Sequence, residues 1–324
     1  MSDGDSLEDF ASEFHLGATV SSKPVVARPF LKWAGGKAKL VPYLLELFPT
    51  RVKRYYEPFL GGGAVFWAMA ASGRFEAAAL NDWNDELVTT YRVVRDFPTE
   101  LIHFLHERVE SYRQAPEATF KAWQRPDTLV QKTMGPVERA GRFIFLNKTA
   151  FNGLYRLNQK GQFNTPWGKY ENPPICNEPL LRACSEALNK LVTISQGDFV
   201  TACETANEGD LVYLDPPYVP LSETANFTGY TENGFSLNDQ YRCVALFKEL
   251  AGRGVAVVLS NSDTPEVRAM FEGWEMHSVP MRRNINSDGA KRGPVSELVV
   301  VGRRGSIRPP GPSPWDDTGT GKPT

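Results

Sequence analysis

Cysteine is scarce in this 324-residue chain. Cys176, Cys184, Cys203 and Cys243 are the only four, and none forms a CxxC pair. A disulfide framework is therefore not expected, and reduced thiols suit a cytoplasmic protein. No run approaches the roughly 18–20 apolar residues of a membrane span. The start, MSDGDSLEDFASEF, has neither the basic residues nor the apolar stretch of a signal peptide. His103 and His106 share a helical spacing but bring no acid or cysteine set with them, so no metal site is expected. What remains is an ordinary soluble composition, 41% apolar and 23% charged.

Charge of one sign is missing from two stretches. Residues 1–14 hold five acids and no base; without them the chain has 36 bases against 33 acids, which the net charge of −2 hides. Residues 139–170 hold Arg139, Arg142, Lys148, Arg156, Lys160 and Lys169 and no acid. Phe151, Tyr155, Phe163, Trp167 and Tyr170 lie among those bases, with Asn152, Asn158, Gln162 and Asn164. Bases alone are usually a solvated face; with aromatics and amides they suit a nucleic-acid surface.

The apolar pattern is α/β. Strands are expected near 54–58, 77–81, 192–196, 210–214, 255–260 and 296–301, and helices over 38–48 and 237–251. Ser236 and Asp239 have capping-box spacing, and Asp263-Thr-Pro-Glu reads as another helix start. From 85 to 145 the apolar residues keep helical spacing, with no strand expected before about 143–146. This predicts a helical insertion, residues 85–171, in a catalytic domain made of 29–84 and 172–304. Residues 1–28 and 305–324 read as loose tails.

Three expected strands end in a carboxylate: Asp82, Asp198 and Asp215. Between the strands expected near 54–58 and 77–81 stands EPFLGGGAVF, in which Gly61 to Gly63 let a backbone approach a ligand ahead of a helix N-terminus. The plainer reading is a glycine turn. Phe66 occupies the third glycine position of the dinucleotide fingerprint, which lowers NAD. An acid about 20 residues beyond a glycine loop grips ribose hydroxyls in nucleotide-binding α/β folds, and Phe199 beside Asp198 can stack on adenine. Several strand-end carboxylates suit a sulfonium better than a pyrophosphate, so S-adenosylmethionine is the expected cofactor.

In YLDPPYVPL, Asp215 and the Pro216 carbonyl can accept the two N–H groups of an exocyclic amine, Pro216 and Pro217 hold the turn rigid, and Tyr218 can stack on a base. None of the four cysteines follows a proline, which argues against the Pro-Cys nucleophile of cytosine-C5 methylation. A duplex base must be flipped out to reach such a site. The long stretch after Tyr218, about 219–235, is expected to order over target and cofactor.

FLKWAGGK (30–37), EPFLGGGAVF (57–66), LNDWNDEL (80–87), FNGLYRLNQKGQFNTPWGKY (151–170), DPPYVPLSETANFTGY (215–230) and LSNSDT (259–264) stand in the order of the Dam family of DNA adenine-N6 methyltransferases. The chain resembles that family over about residues 29–304. The resemblance implies a Rossmann-like methyltransferase sheet with an inserted, mainly helical target-recognition domain, acting on double-stranded DNA as a monomer in solution. By position it implies cofactor contacts at Trp33, Lys37, Asp82 and Asp215; the expected cofactor set is completed by Phe59, Gly61 and Gly63 of the glycine loop and by Asp198 and Phe199. It implies DNA contacts at Lys32, Lys148, Phe151, Asn152, Leu154, Arg156, Pro166 and Tyr170, with Phe151 intercalating and Arg156 reading a guanine. A phosphate clamp is the other role open to Arg156. Lys148-Thr-Ala-Phe151 departs from the Arg-Tyr-Gly-Tyr common in relatives, and Trp83 replaces a common aliphatic residue. The retained NGLYR and NTPWGKY point to GATC, and a restriction–modification setting is among the expectations. Methylation of cytosine N4 or of RNA, and a catalytically inactive DNA-binding regulator, stay open.

Overall fold

The six strands expected outside the helical stretch form, the one expected at about 143–146 does not, and an unexpected strand joins at the sheet edge. The computed structural model describes residues 24–125, 133–158, 160–218, 235–281 and 295–303. In chain order the elements are α1 (Val41–Leu47), β1 (Val52–Glu57), α2 (Ala64–Ala71), β2 (Phe75–Asp82), α3 (Asp85–Asp96), α4 (Pro98–Gln114), α5 (Pro116–Gln124) and α6 (Pro136–Thr149). Then come α7 (Glu178–Leu188), β3 (Val192–Gln196), α8 (Phe199–Ala202), β4 (Leu211–Leu214), α9 (Leu237–Gly252), β5 (Ala256–Ser262), α10 (Pro265–Met270), β6 (Glu275–Met281) and β7 (Val295–Gly302).

The sheet order is β3-β2-β1-β4-β5-β7-β6. The first five strands are parallel, and β7 runs antiparallel to both β5 and β6. β6 has no counterpart among the expected strands. It carries Pro280 and a polar pattern, which only an edge strand tolerates.

The period of two assigns each side chain to a face. On β4, Leu211 and Tyr213 enter one core while Val212 and Leu214 enter the other; on β7, Val299 and Val301 oppose Leu298 and Val300 in the same way. Both faces are covered, as a parallel sheet requires. The larger core runs without a break from the sheet into Phe104, Phe120 and Phe145 of the helical segment. Helix α3, the first of the expected insertion, packs on β2 and β3 as well as on α6.

Local signals set the helix starts. Asn84 caps α3 by accepting from the Leu87 amide, Ser236 and Asp239 form their reciprocal box at α9, and Thr264 with Pro265 opens α10. The run Phe143–Leu146, expected as a strand at about 143–146, is the buried middle of α6. Four apolar residues in a row do not distinguish a buried strand from a buried helix; Pro136 and Glu138 start the helix and packing on α3 and α4 keeps it.

Candidate active site

The order β2-β1-β4 sets three strand ends side by side at the C-terminal edge, where an open α/β sheet binds its ligands. β2 ends in Asp82. β1 ends in Glu57 and runs into the glycine loop. β4 delivers Asp215 in the next residue.

In the glycine loop, the Gly61 amide donates to Asp82 Oδ2 at 2.9 Å, and the Asn84 amide donates to Oδ1 at 2.9 Å. Burial pushes Asp82 above the ordinary aspartate range, against these donors. Gly61 and Gly63 have positive φ. A Cβ on Gly61 would lie 2.8 Å from the Trp33 ring, and one on Gly63 2.7 Å from the Tyr91 hydroxyl. Trp33 thus lies against the loop while stacking near Phe143 and Tyr155.

Asp215 is held by two side chains from distant segments. Lys37 Nζ lies 2.8 Å from Oδ1, and Ser260 Oγ donates to the same oxygen at 3.1 Å. Lys37 also donates to the Tyr218 hydroxyl at 2.9 Å and lies 3.2 Å from Glu297 Oε1. Tyr218 in turn donates to Glu297 at 2.5 Å. Burial raises Asp215, opposed by Lys37 and Ser260. Burial alone would lower Lys37; Asp215, Tyr218 and Glu297 outweigh it and hold the ammonium charged. Behind them, buried Glu57 accepts from the Tyr55 hydroxyl at 2.7 Å, and burial pushes its carboxyl up to about 8.

The two prolines divide their roles. The Pro217 carbonyl accepts from Gln240 Nε2 at 3.0 Å, whereas the Pro216 carbonyl receives no donor among the described residues. One rigid acceptor beside Asp215 is therefore available to a ligand. The stretch 219–234 lies outside the described residues.

Asp198 and Phe199 have partners within the protein. Asp198 caps α8 through the Val200 amide, and its other oxygen pairs with Arg242 at 2.7 Å. Phe199 is buried, its ring 5.0 Å from that of Phe59, with the Arg242 guanidinium 4.9 Å above it. In this arrangement both are already satisfied by protein.

Most of the expected DNA contacts converge on one turn after α6. The Phe151 amide donates to the Pro166 carbonyl at 2.8 Å, the Asn152 amide to the Tyr170 hydroxyl at 3.1 Å, and Lys32 Nζ lies 5.7 Å from the Tyr170 ring centroid. Phe151 and Leu154 are exposed apolar side chains. Arg156 is exposed but ordered, with Nε donating to Asn164 Oδ1 at 2.7 Å. Lys148 departs from this group. It is half-buried, it donates to the Phe30 carbonyl, and burial lowers it to about 8, so it ties α6 to the entering chain instead of facing outward.

Sequence reasoning missed Glu297, Ser260, Gln240 and Asn147, all buried. Their signal is a polar residue inside an apolar run, as in SELVVV, VVLSNS and FIFLNKT.

Among the described residues, no three metal-ligating side chains cluster and no helix is long and apolar enough to cross a membrane. His103 and His106 face Glu107 and Glu178 at 3.4 Å. The chemistry of this rim suits a cation beside adenosine: Asp82 and Asp215 at strand ends on either side of β1, among the described residues one ammonium, Lys37, beside them, and a loop without side chains.

Residues 33–285 match the family described as D12 class N6 adenine-specific DNA methyltransferase. The chain is 40% identical over 275 residues to a type II methyltransferase of Lactococcus lactis subsp. cremoris, covering 85% of this chain and 95% of that one. It is 38% identical over 285 residues to a type II methyltransferase of Methanocaldococcus jannaschii, covering 85% and 98%. It is 32% identical over 282 residues to the DNA adenine methylase of Escherichia coli K12, covering 87% and 98%.

Proposed function

The chain belongs to the D12 class of N6 adenine-specific DNA methyltransferases, and on that premise we propose that it transfers a methyl group from S-adenosylmethionine to a flipped-out adenine in duplex DNA, within GATC. The observation that carries this reading is Asp215 beside the undonated Pro216 carbonyl: two acceptors for the two N–H groups of one amine. A bound S-adenosylmethionine supplies a methyl group on a cationic sulfur, which takes back the electron pair of the broken carbon–sulfur bond.

The protein supplies position. Asp82, the Gly61–Gly63 loop, Phe59 and Trp33 form the side of the rim that would hold the cofactor. Asp215 and Pro216 draw the two N–H groups toward an sp³ arrangement, so that the lone pair is freed from conjugation with the ring and forms the new bond, and Asp215 then accepts the surplus proton. Alignment at near-attack distance is the largest rate contribution open to such a site. Flipping costs a few kcal/mol, and exposed Phe151 is available to fill the gap in the stack. GATC is supported by the retained NGLYR and NTPWGKY.

The test is transfer of tritiated methyl groups to duplex DNA, followed by nucleoside analysis. Label in N6-methyldeoxyadenosine, lost in a folded Asp215→Ala variant, is expected. Label in RNA or N4-methylcytosine would overturn the reading, and no transfer at all would make the chain a DNA-binding regulator. Protection of plasmid from a GATC-cleaving endonuclease, but not from others, tests the site.

A further inference from the structure

Four acceptors surround the Lys37 ammonium: Asp215 Oδ1 at 2.8 Å, the Tyr218 hydroxyl at 2.9 Å, and Glu297 Oε1 and the Gly35 carbonyl, both at 3.2 Å. An ammonium has three N–H donors. One contact is therefore always in surplus, and exchanging one for another needs little movement. Glu297 is the acceptor best fixed to receive it. It is 8% exposed, rides on β7 between β5 and β6, and is anchored by the Tyr218 hydroxyl.

The exchange matters because of charge. While Lys37 sits on Asp215, the catalytic carboxylate is neutralised, yet the reacting nitrogen turns cationic as the methyl group arrives. A fixed negative charge aimed at that nitrogen favours the transition state, and a nearby ammonium opposes it. With two carboxylates to one ammonium, the cluster keeps one net negative charge; with one carboxylate it keeps none.

The geometry points to Glu297 as a positioning residue for methyl transfer: it takes Lys37 over from Asp215 when the target amine docks, leaving Asp215 free to act as an anion. This rests on Asp215 being the amine acceptor. Other groups facing Asp215 are Tyr55 and Glu57 from β1, Tyr213 from its own strand, Cys243 from α9, Ser260 from β5, and Tyr218. Of these only Tyr218 touches Glu297, and Glu297→Gln keeps an oxygen to accept from its hydroxyl.

Glu297→Gln keeps the shape and removes the charge. At saturating donor and DNA it is expected to lower kcat about tenfold to a hundredfold with little change in KM, whereas Glu297→Asp keeps most of the rate. In a Lys37→Met background the same Glu297→Gln change is expected to cost less than about threefold, since coupled residues are non-additive. A readout free of turnover is the carbon-13 titration of the Asp215 carboxyl in the free enzyme, assigned with Asp215→Asn. Its midpoint should fall in Glu297→Gln, because Lys37 then faces one carboxylate in place of two and a neighbouring negative charge is gone. An unmoved or raised midpoint, or equal losses in both Lys37 backgrounds, would overturn the inference. Full activity in Asp215→Asn would instead overturn the underlying assignment of Asp215.

Discussion

Asn147 and Lys32 are joined by a reciprocal pair of hydrogen bonds. The Lys32 amide donates to Asn147 Oδ1 at 2.9 Å, and Asn147 Nδ2 donates back to the Lys32 carbonyl at 2.7 Å. The same Nδ2 reaches the Gly153 carbonyl at 2.9 Å. One fully buried amide thus docks the segment that carries Trp33 and Lys37 onto the turn that carries Phe151 and Arg156. A Cβ on Gly153 would lie 2.6 Å from the Lys32 side chain, so this junction tolerates no added bulk there.

Asn147→Ala would orphan one buried N–H and two carbonyls. An unsatisfied buried group costs about 1–3 kcal/mol, and a total loss of about 2–4 kcal/mol is expected. Urea denaturation checks it; a loss below about 1 kcal/mol would mean that the junction relaxes.

Arg156 is braced by Asn164 through both Nε and a terminal nitrogen. Arg156→Ala is expected to cost about 1–3 kcal/mol at one base pair and to relax specificity there. Asn164→Ala should relax the same position more weakly. Competition binding against single-base variants of the site decides: a uniform loss across all variants would assign Arg156 to a phosphate.

Lys32 is exposed beside the turn that follows α6, and Lys148 is turned inward. Lys32→Ala should reduce the salt slope of DNA binding by about 1, and Lys148→Met should leave it unchanged. Anisotropy titrations over a range of salt concentrations measure both slopes. A drop for Lys148→Met would show that its ammonium reaches the backbone after all.

Glu57 keeps its proton up to about pH 8 in the folded chain, against an ordinary value of 4.5. Between those values unfolding releases a proton, so this group makes stability fall as pH rises through the window; below pH 4.5 it has no effect. Glu57→Gln should flatten that decline. Its advantage over the parent should grow from pH 4.5 to 8, with a ceiling of about 5 kcal/mol at 1.36 kcal/mol per pH unit. Thermal or urea unfolding across that range tests the slope, and parallel curves would mean that Glu57 is ionised when folded.

The features decided by short-range chemistry were legible in the residue order. Strand ends at Asp82 and Asp215, the glycine loop between β1 and α2, and the Ser236 cap follow from periodicity, proline and capping, each of which acts over a few residues. The edge strand β6 was not legible, because its pairing with β7 overrides a weak local preference. Nor was α6 at 143–146, where an apolar run is compatible with either element. Tertiary packing alone decided which charges meet. It brings Lys37 and Glu297, from opposite ends of the chain, to Asp215, gives Asp198 to Arg242, and turns Lys148 onto the Phe30 carbonyl. Sequence shows that a buried charge must find a partner; only the folded chain shows which one it has found.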